Sequence, residues 1–569
     1  MLPLLLLLSI SPENAAAEVD RLVRVEHAAL EVTAPARVSD ERLYRRLSLD
    51  VAGQVPSVVE ADLFATIRGD DKVAAAADDL LAAESYGRRW ARYWSAVIFS
   101  RATSTRNLTQ NRRDLEDWLA DEINAGRGWD AIVSELLTAT GDSKTQPRTA
   151  FIVAHAGETE EIASEAARVF MGVQIGCAQC HDHPFDRWTR NEFHEFAAFF
   201  PRIQMIPKRD MGITFNVVSH NGRPRPTPEQ LFAVIDRNGD RVLTRSEASG
   251  IGRQVFGYLL RRGDTNDDGR ITFEEAMATP PPPITTGQGS AEHQMPSLDD
   301  PTAEGVVMTP RLFSTGAAIT AGTSDLERRL SVSAFLTDPE NVWFARSVVN
   351  RYWDELLGEG FYVPVDDLGP DREPVLPEVV DLLAEGFVDS GYDLRWLVAT
   401  IVQTESYARE RSAEFDDLAL AGTGGATPQR LPGDQVFDRL EQTLGIEPST
   451  RRRGVSEREF VGELFGGDPS VAIGDQPVGI PQALFLMNAS GLEQLLDTRG
   501  TGRIGQIVRE SRTPTEAVET IYETILGRLP TEAERRILKQ SLARSRSLDE
   551  GLEDIAWALV NSAEFLTRD

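Results

Sequence analysis

Cysteine is nearly absent: the chain of 569 residues holds two, Cys177 and Cys180. That excludes a scaffold stapled by several disulfides and allows at most one bridge. Histidine is sparse as well, with seven residues scattered along the chain, too few for a second metal centre beside one at the cysteines. After the N-terminus no apolar run approaches the length of a membrane-spanning helix, so no integral membrane segment is expected. Basic charge is in deficit: 59 Lys and Arg against 89 Asp and Glu leave a formal net charge of −30. Such a field repels nucleic acid and anionic membranes and favours cations or basic proteins as partners. No Ser-His-Asp pattern stands out, and catalytic residues are unknown. The glycine loop Gly422-Thr423-Gly424-Gly425 lacks the strand, lysine and serine of a phosphate-binding loop.

What is present is otherwise ordinary. Hydrophobic residues make up 41% of the chain and charged residues 26%, the balance of a folded globular protein. The length exceeds what one core serves, so two or more domains are expected. The N-terminus reads as an export signal. A short apolar run at 2–10 precedes Ala15, Ala16 and Ala17, small residues at both cleavage-site positions, although no basic residue precedes the run. We assign 1–17 to a signal peptide and expect an exported protein, periplasmic or extracellular.

Both cysteines fall in Cys177-Ala178-Gln179-Cys180-His181. Two thiolates three positions apart face one way on a helical turn, where they can add to both vinyl groups of one porphyrin. The next histidine then offers the iron a nitrogen. Cys177, Cys180 and His181 are therefore the candidate haem c site, with His194 and Met205 as candidates for the sixth iron ligand. The alternative is zinc at Cys177, Cys180, His183 and His194, a tetrahedral set of two sulfurs and two nitrogens. A redox disulfide would need a βαβ setting that the flanking pattern lacks.

Elsewhere the apolar residues recur with helical spacing. Leu43, Leu47 and Val51 mark one helix, and Ser57 with Glu60 forms the capping pattern of the next. Tyr86, Trp90, Tyr93, Trp94 and Phe99 form an aromatic stripe, read as a core face, with a wall of a haem pocket as its functional alternative. The segment 112–137 gives two helices broken at Gly126-Arg127-Gly128. A helix at 160–175 leads into the cysteines, and one at 191–200, rich in Phe193, Phe196, Phe199 and Phe200, follows them as an aromatic cradle. Helices dominate again from 326 onward. Adjacent Asp366 and Asp367 most simply cap a turn.

These strings carry a resemblance. Residues 169–200, with Cys-Ala-Gln-Cys-His-Asp-His-Pro-Phe-Asp-Arg-Trp at their centre, resemble the second planctomycete cytochrome-like domain, as does the upstream run 86–94. Residues 341–351, 364–369 and 390–394 resemble the planctomycete-specific domain that accompanies it. The resemblance implies an exported bacterial family of largely unknown function.

Between these segments, 236–247 fits a calcium loop of twelve residues. Its ligands would be Asp236, Asn238, Asp240, the Val242 carbonyl and Glu247. At 264–275 the pattern repeats with Asp264, Asn266, Asp268, the Arg270 carbonyl and Glu275. The pair resembles two EF-hands, flanked by helices at 228–235 and 253–262. The sixth loop position wants glycine for its positive φ. The second loop has Gly269 there and the first has Arg241, so the second is expected to bind more tightly.

The expected architecture is mainly α: a multi-helical, two-domain protein with an inserted EF-hand pair. Residues 18–205 form the cytochrome-like domain, 206–283 the calcium module, 284–308 a linker and 309–569 the second domain. The expected function is electron transfer or haem-dependent redox chemistry with a partner protein, and calcium bound in the insertion. The alternatives are an extracytoplasmic metalloenzyme acting on a polymer and a calcium-stabilised binding or scaffold protein.

Overall fold

The computed structural model describes residues 10–568 except 70, 104–107, 209–213, 221–227, 249–251, 280–291, 301–302, 304, 321, 411–429, 446–456, 467, 472–479 and 489. Most of the apolar run at 2–10, the prolines at 280–283 and the glycine loop at 422–425 lie outside the described residues. The protein is mainly α-helical with a few short strands. Local chemistry sets many helix ends. Ser57 accepts a hydrogen bond from the Glu60 backbone while the Glu60 carboxylate caps the Ser57 N–H, starting the helix Val58–Thr66. The predicted break at 126–128 separates the helices Leu108–Asn124 and Trp129–Thr138.

The largest apolar core runs from Ala15 to Ala408. At its centre Trp90 stacks on Tyr352 at 4.1 Å, and Trp94 on Trp129 at 4.0 Å. The aromatic stripe is thus a core face. A second core takes residues from Leu431 to Phe565, and a third, small one lies between Phe232 and Ala276. Residues 18–205 therefore share one core with 312–408, while 431–565 has its own. The sharing is close. In the helix Val342–Leu357, Ser347 Oγ donates to the Phe170 carbonyl at 2.9 Å and Arg351 donates to the Arg168 carbonyl at 3.3 Å. Both acceptors belong to the helix Thr159–Met171. Glu355 links the cores, since it pairs with Arg89 and with Arg568.

The helix Pro12–Ala29 is capped by Ser11 and buries Ala15, Ala16, Val19 and Val23. Of the alanines read as a cleavage site, Ala15 and Ala16 are thus buried in its first turns while Ala17 is exposed, and Trp396 Nε1 donates to the Ile10 carbonyl at 2.8 Å.

Three strands form one antiparallel sheet in the order Gly141–Asp142, Phe215–Ser219, Ile203–Pro207. In the acidic insertion the helices Pro228–Ile235, Gly252–Arg262 and Phe273–Ala278 alternate with the two loops. Leu243 pairs with Ile271, the apolar eighth residue of each loop, across a short antiparallel ladder. The chain then returns to the main body as the strand Gln294–Met295, which pairs with Val306–Val307.

Candidate cofactor and metal centres

The residues Ile175–Gln179 form a 3-10 helix between the helices Thr159–Met171 and Arg190–Ala197. Gly172 ends the first of these at φ +66, where an added Cβ would lie 2.9 Å from Leu368, so the close approach also requires glycine. Cys177 and Cys180 are free and exposed on this turn. His181 is exposed too, with Nδ1 2.7 Å from the Asp182 carbonyl oxygen. A carbonyl only accepts, so Nδ1 is the donor in this contact, which leaves Nε2 as the nitrogen available to a ligand.

The turn is braced from several sides. Gln174 donates to Asp366 Oδ1 at 2.8 Å, and the Leu368 N–H donates to the Gly172 carbonyl at 2.8 Å. Arg190 Nε donates to the Gln179 carbonyl at 3.3 Å, and its backbone N–H to Asp182 Oδ1 at 2.8 Å. Asp366 itself is fully buried amid Arg168 at 3.2 Å, Arg101 at 3.5 Å and Arg351 at 3.8 Å. The turn-cap reading of Asp366 gives way to this ion cluster. Asp367 pairs with Arg372 at 2.9 Å, and burial pushes its carboxyl upward.

The candidates for a sixth iron ligand are engaged elsewhere. His194 is buried with both ring nitrogens committed: Nε2 donates to the Gln179 carbonyl at 3.1 Å, and Nδ1 lies 2.8 Å from His293 Nε2. Burial pushes His194 down to about 4 and His293 down to about 3, so both rings are neutral. Met205 is buried in the strand Ile203–Pro207, with its sulfur against Gly157. Among the described residues, Cys177, Cys180, His183 and His194 are not gathered into one ligand set. The phenylalanines read as a cradle, Phe193, Phe196, Phe199 and Phe200, are fully buried in the core. Phe185, which sequence reasoning passed over, is the exposed aromatic beside the motif, at 78% exposure.

The acidic loops repeat each other's backbone. Gly239 and Arg241 take φ of +74 and +63 in the first, and Asp267 and Gly269 take +60 and +74 in the second. Arg241 therefore holds the left-handed conformation without being glycine. Its guanidinium lies 4.3 Å above the Phe273 ring of the other loop. Asp236, Asp240 and Glu247 present carboxylate oxygens within 4.8 Å of one another. Glu247 Oε2 accepts from Thr244, while Oε1 is buried with no hydrogen-bond partner among the described residues. In the second loop both oxygens of Glu275 are occupied, Oε1 by the Thr265 N–H and hydroxyl and Oε2 by Thr272. These bonds, led by the Thr265 hydroxyl, hold its carboxyl down at about 2. The geometry thus gathers the first loop's carboxylates and leaves Glu275 engaged with threonines.

Fold and site together define a class: a multi-helical protein with an exposed Cys-x-x-Cys-His turn braced by a second helical segment through a buried aspartate. Family models identify it. PSCyt2, described as a protein of unknown function (DUF1549), matches residues 18–205, and PSD1, described as a protein of unknown function (DUF1553), matches residues 328–457. The chain belongs to the planctomycete family that joins these two domains in this order. No curated protein and no solved structure matches it. Among the described residues no helix is long and apolar enough to cross a membrane.

Proposed function

We propose that the protein is an exported, c-type-cytochrome-like electron-transfer protein that holds haem at Cys177, Cys180 and His181 and calcium in its two acidic loops. One observation carries the haem reading: two free thiols and an imidazole whose Nδ1 is held by the Asp182 carbonyl stand exposed on one short turn. The donor set fits the group. Thioethers would form at Cys177 and Cys180, and His181 would face the iron, its ring oriented by the Asp182 carbonyl. Bound there, haem supplies a one-electron couple at the protein surface. The formal net charge of −30 favours a basic redox partner. For calcium the support is the gathered oxygens of Asp236, Asp240 and Glu247 and a Glu247 Oε1 without a hydrogen-bond partner among the described residues.

The test is direct. Expressed with a c-type maturation system and exported, the full chain should be red and keep its haem on a denaturing gel. Cys177→Ala with Cys180→Ala should abolish both properties. A colourless wild-type protein carrying stoichiometric zinc would overturn the reading.

A further inference from the structure

Methionine supply decides what can face the iron opposite His181. Among the described residues, Met171, Met205 and Met308 are buried, Met277 packs on the small core of the acidic insertion, and Met487 lies beyond residue 431 in the C-terminal body. Met295 is placed differently. It sits in the strand Gln294–Met295, and the Met308 N–H donates to the His293 carbonyl at 2.9 Å, carrying the ladder one residue further.

This strand is pinned beside the cysteine turn at two points, and both pins also hold Gln179, which lies between the cysteines. His293 meets His194, whose Nε2 donates to the Gln179 carbonyl. The Pro296 carbonyl accepts from Arg190 Nη2 at 2.6 Å, and Arg190 Nε donates to the same Gln179 carbonyl. Glu292 anchors the strand's head through Arg202 at 2.7 Å and Arg328 at 2.6 Å. Met295 lies between the pins. Side chains two apart in an extended chain leave on one face, so Met295 leaves on the side where His293 meets His194. It is half-buried, and among the described residues it belongs to none of the three apolar cores.

We infer that Met295 is the second axial ligand to the haem held by Cys177, Cys180 and His181. The inference rests on the attachment reading above. A thioether is a neutral, soft donor that favours ferrous iron, so it sets a higher potential than a second imidazole would. Residue 295 lies outside both matched ranges, 18–205 and 328–457, so the ligand comes from the segment that joins the two family domains.

The experiment is absorption spectroscopy and redox titration of the haem-loaded full chain. The ferric protein should be low-spin and show the weak far-red band of a thioether–iron bond. Met295→Leu, which keeps the apolar volume, should lose that band, admit added imidazole and shift the potential downward. Met295→His should stay low-spin at a lower potential, while Met205→Leu should leave the spectrum unchanged. A red wild-type protein without the band, or a Met295→Leu protein that keeps it, overturns the assignment of Met295 alone. A protein that attaches no haem overturns both the attachment reading and this inference.

Discussion

Gln174 donates to Asp366 across 2.8 Å, although the two residues lie 192 positions apart. This bond ties the cysteine turn to the second family domain. Asp366 is also the anion that three arginines share in the core. Asp366→Ala would leave Arg168 and Arg351 buried without that partner. Removing one member of a buried ion cluster costs about 3–5 kcal/mol. Urea unfolding of the variant should show a loss of that order. In the haem-loaded protein the visible spectrum should broaden as the turn loosens. A variant as stable as wild type would show that the cluster is not what fixes the turn.

The shared core carries a second expectation. The large apolar cluster takes residues from both 18–205 and 312–408, with Trp90 stacked on Tyr352 at its centre. Residues 18–205 expressed alone would expose the faces that Tyr352, Trp353 and Phe344 cover. The segment should aggregate or melt without a cooperative transition in circular dichroism, whereas 10–569 should melt cooperatively. A sharp transition for 18–205 alone would contradict the sharing of this core with 312–408.

What the sequence made legible was local. The Ser57–Glu60 cap and the break at 126–128 each rest on residues a few positions apart, and both appear as expected. The exposed Cys-x-x-Cys-His turn was legible for the same reason. The brace around it was not. Arg168 reaches Asp366 across 198 positions, and His194 reaches His293 across 99. No periodicity or spacing rule connects such pairs, because tertiary packing alone brings them together. The Phe193–Phe200 run shows the converse. Its composition suits a haem wall and a core face equally, and burial decided for the core.

His155 gives a pH prediction. It is fully buried, and neither ring nitrogen has a hydrogen-bond partner among the described residues. Burial, helped by the nearby Arg168 charge, pushes its pKa down to about 3. The unfolded chain binds a proton near pH 6.5 while the folded one does not, so the contribution to stability is intact above about pH 6.5 and is lost as pH falls toward 3. Its slope is at most about 1.4 kcal/mol per pH unit. His155→Leu should remove that slope and stabilise the protein by about 1 kcal/mol, because two orphaned polar atoms disappear. Urea midpoints at pH 7 and pH 5 check both parts: the variant should gain more at pH 5. An equal gain at both values would mean that His155 does not titrate in this range.

The two acidic loops should fill in the order set by their glutamates. In the first loop Glu247 Oε1 is buried without a partner among the described residues, near Asp236 and Asp240, and Arg241 already holds the left-handed turn that binding needs. Little has to move before a cation enters. In the second loop Gly269 makes the turn easy, but Glu275 must first leave the Thr265 hydroxyl and N–H. Calorimetry on the full chain should therefore resolve two unequal sites. Glu247→Gln should weaken the tighter one on the order of tenfold or more, since a bidentate ligand loses its charge. Glu275→Gln should act on the weaker one, and Thr265→Ala should strengthen that site by freeing Glu275. Chelation should open 252–279 to protease, because the carboxylates then repel one another. The haem spectrum should not change, because Glu292 and His293 anchor the returning strand on Arg202, Arg328 and His194 independently of the loops. If Glu275→Gln instead removes the tighter site, the glycine at the sixth position outweighs the preformed carboxylates, and the order of the loops is reversed.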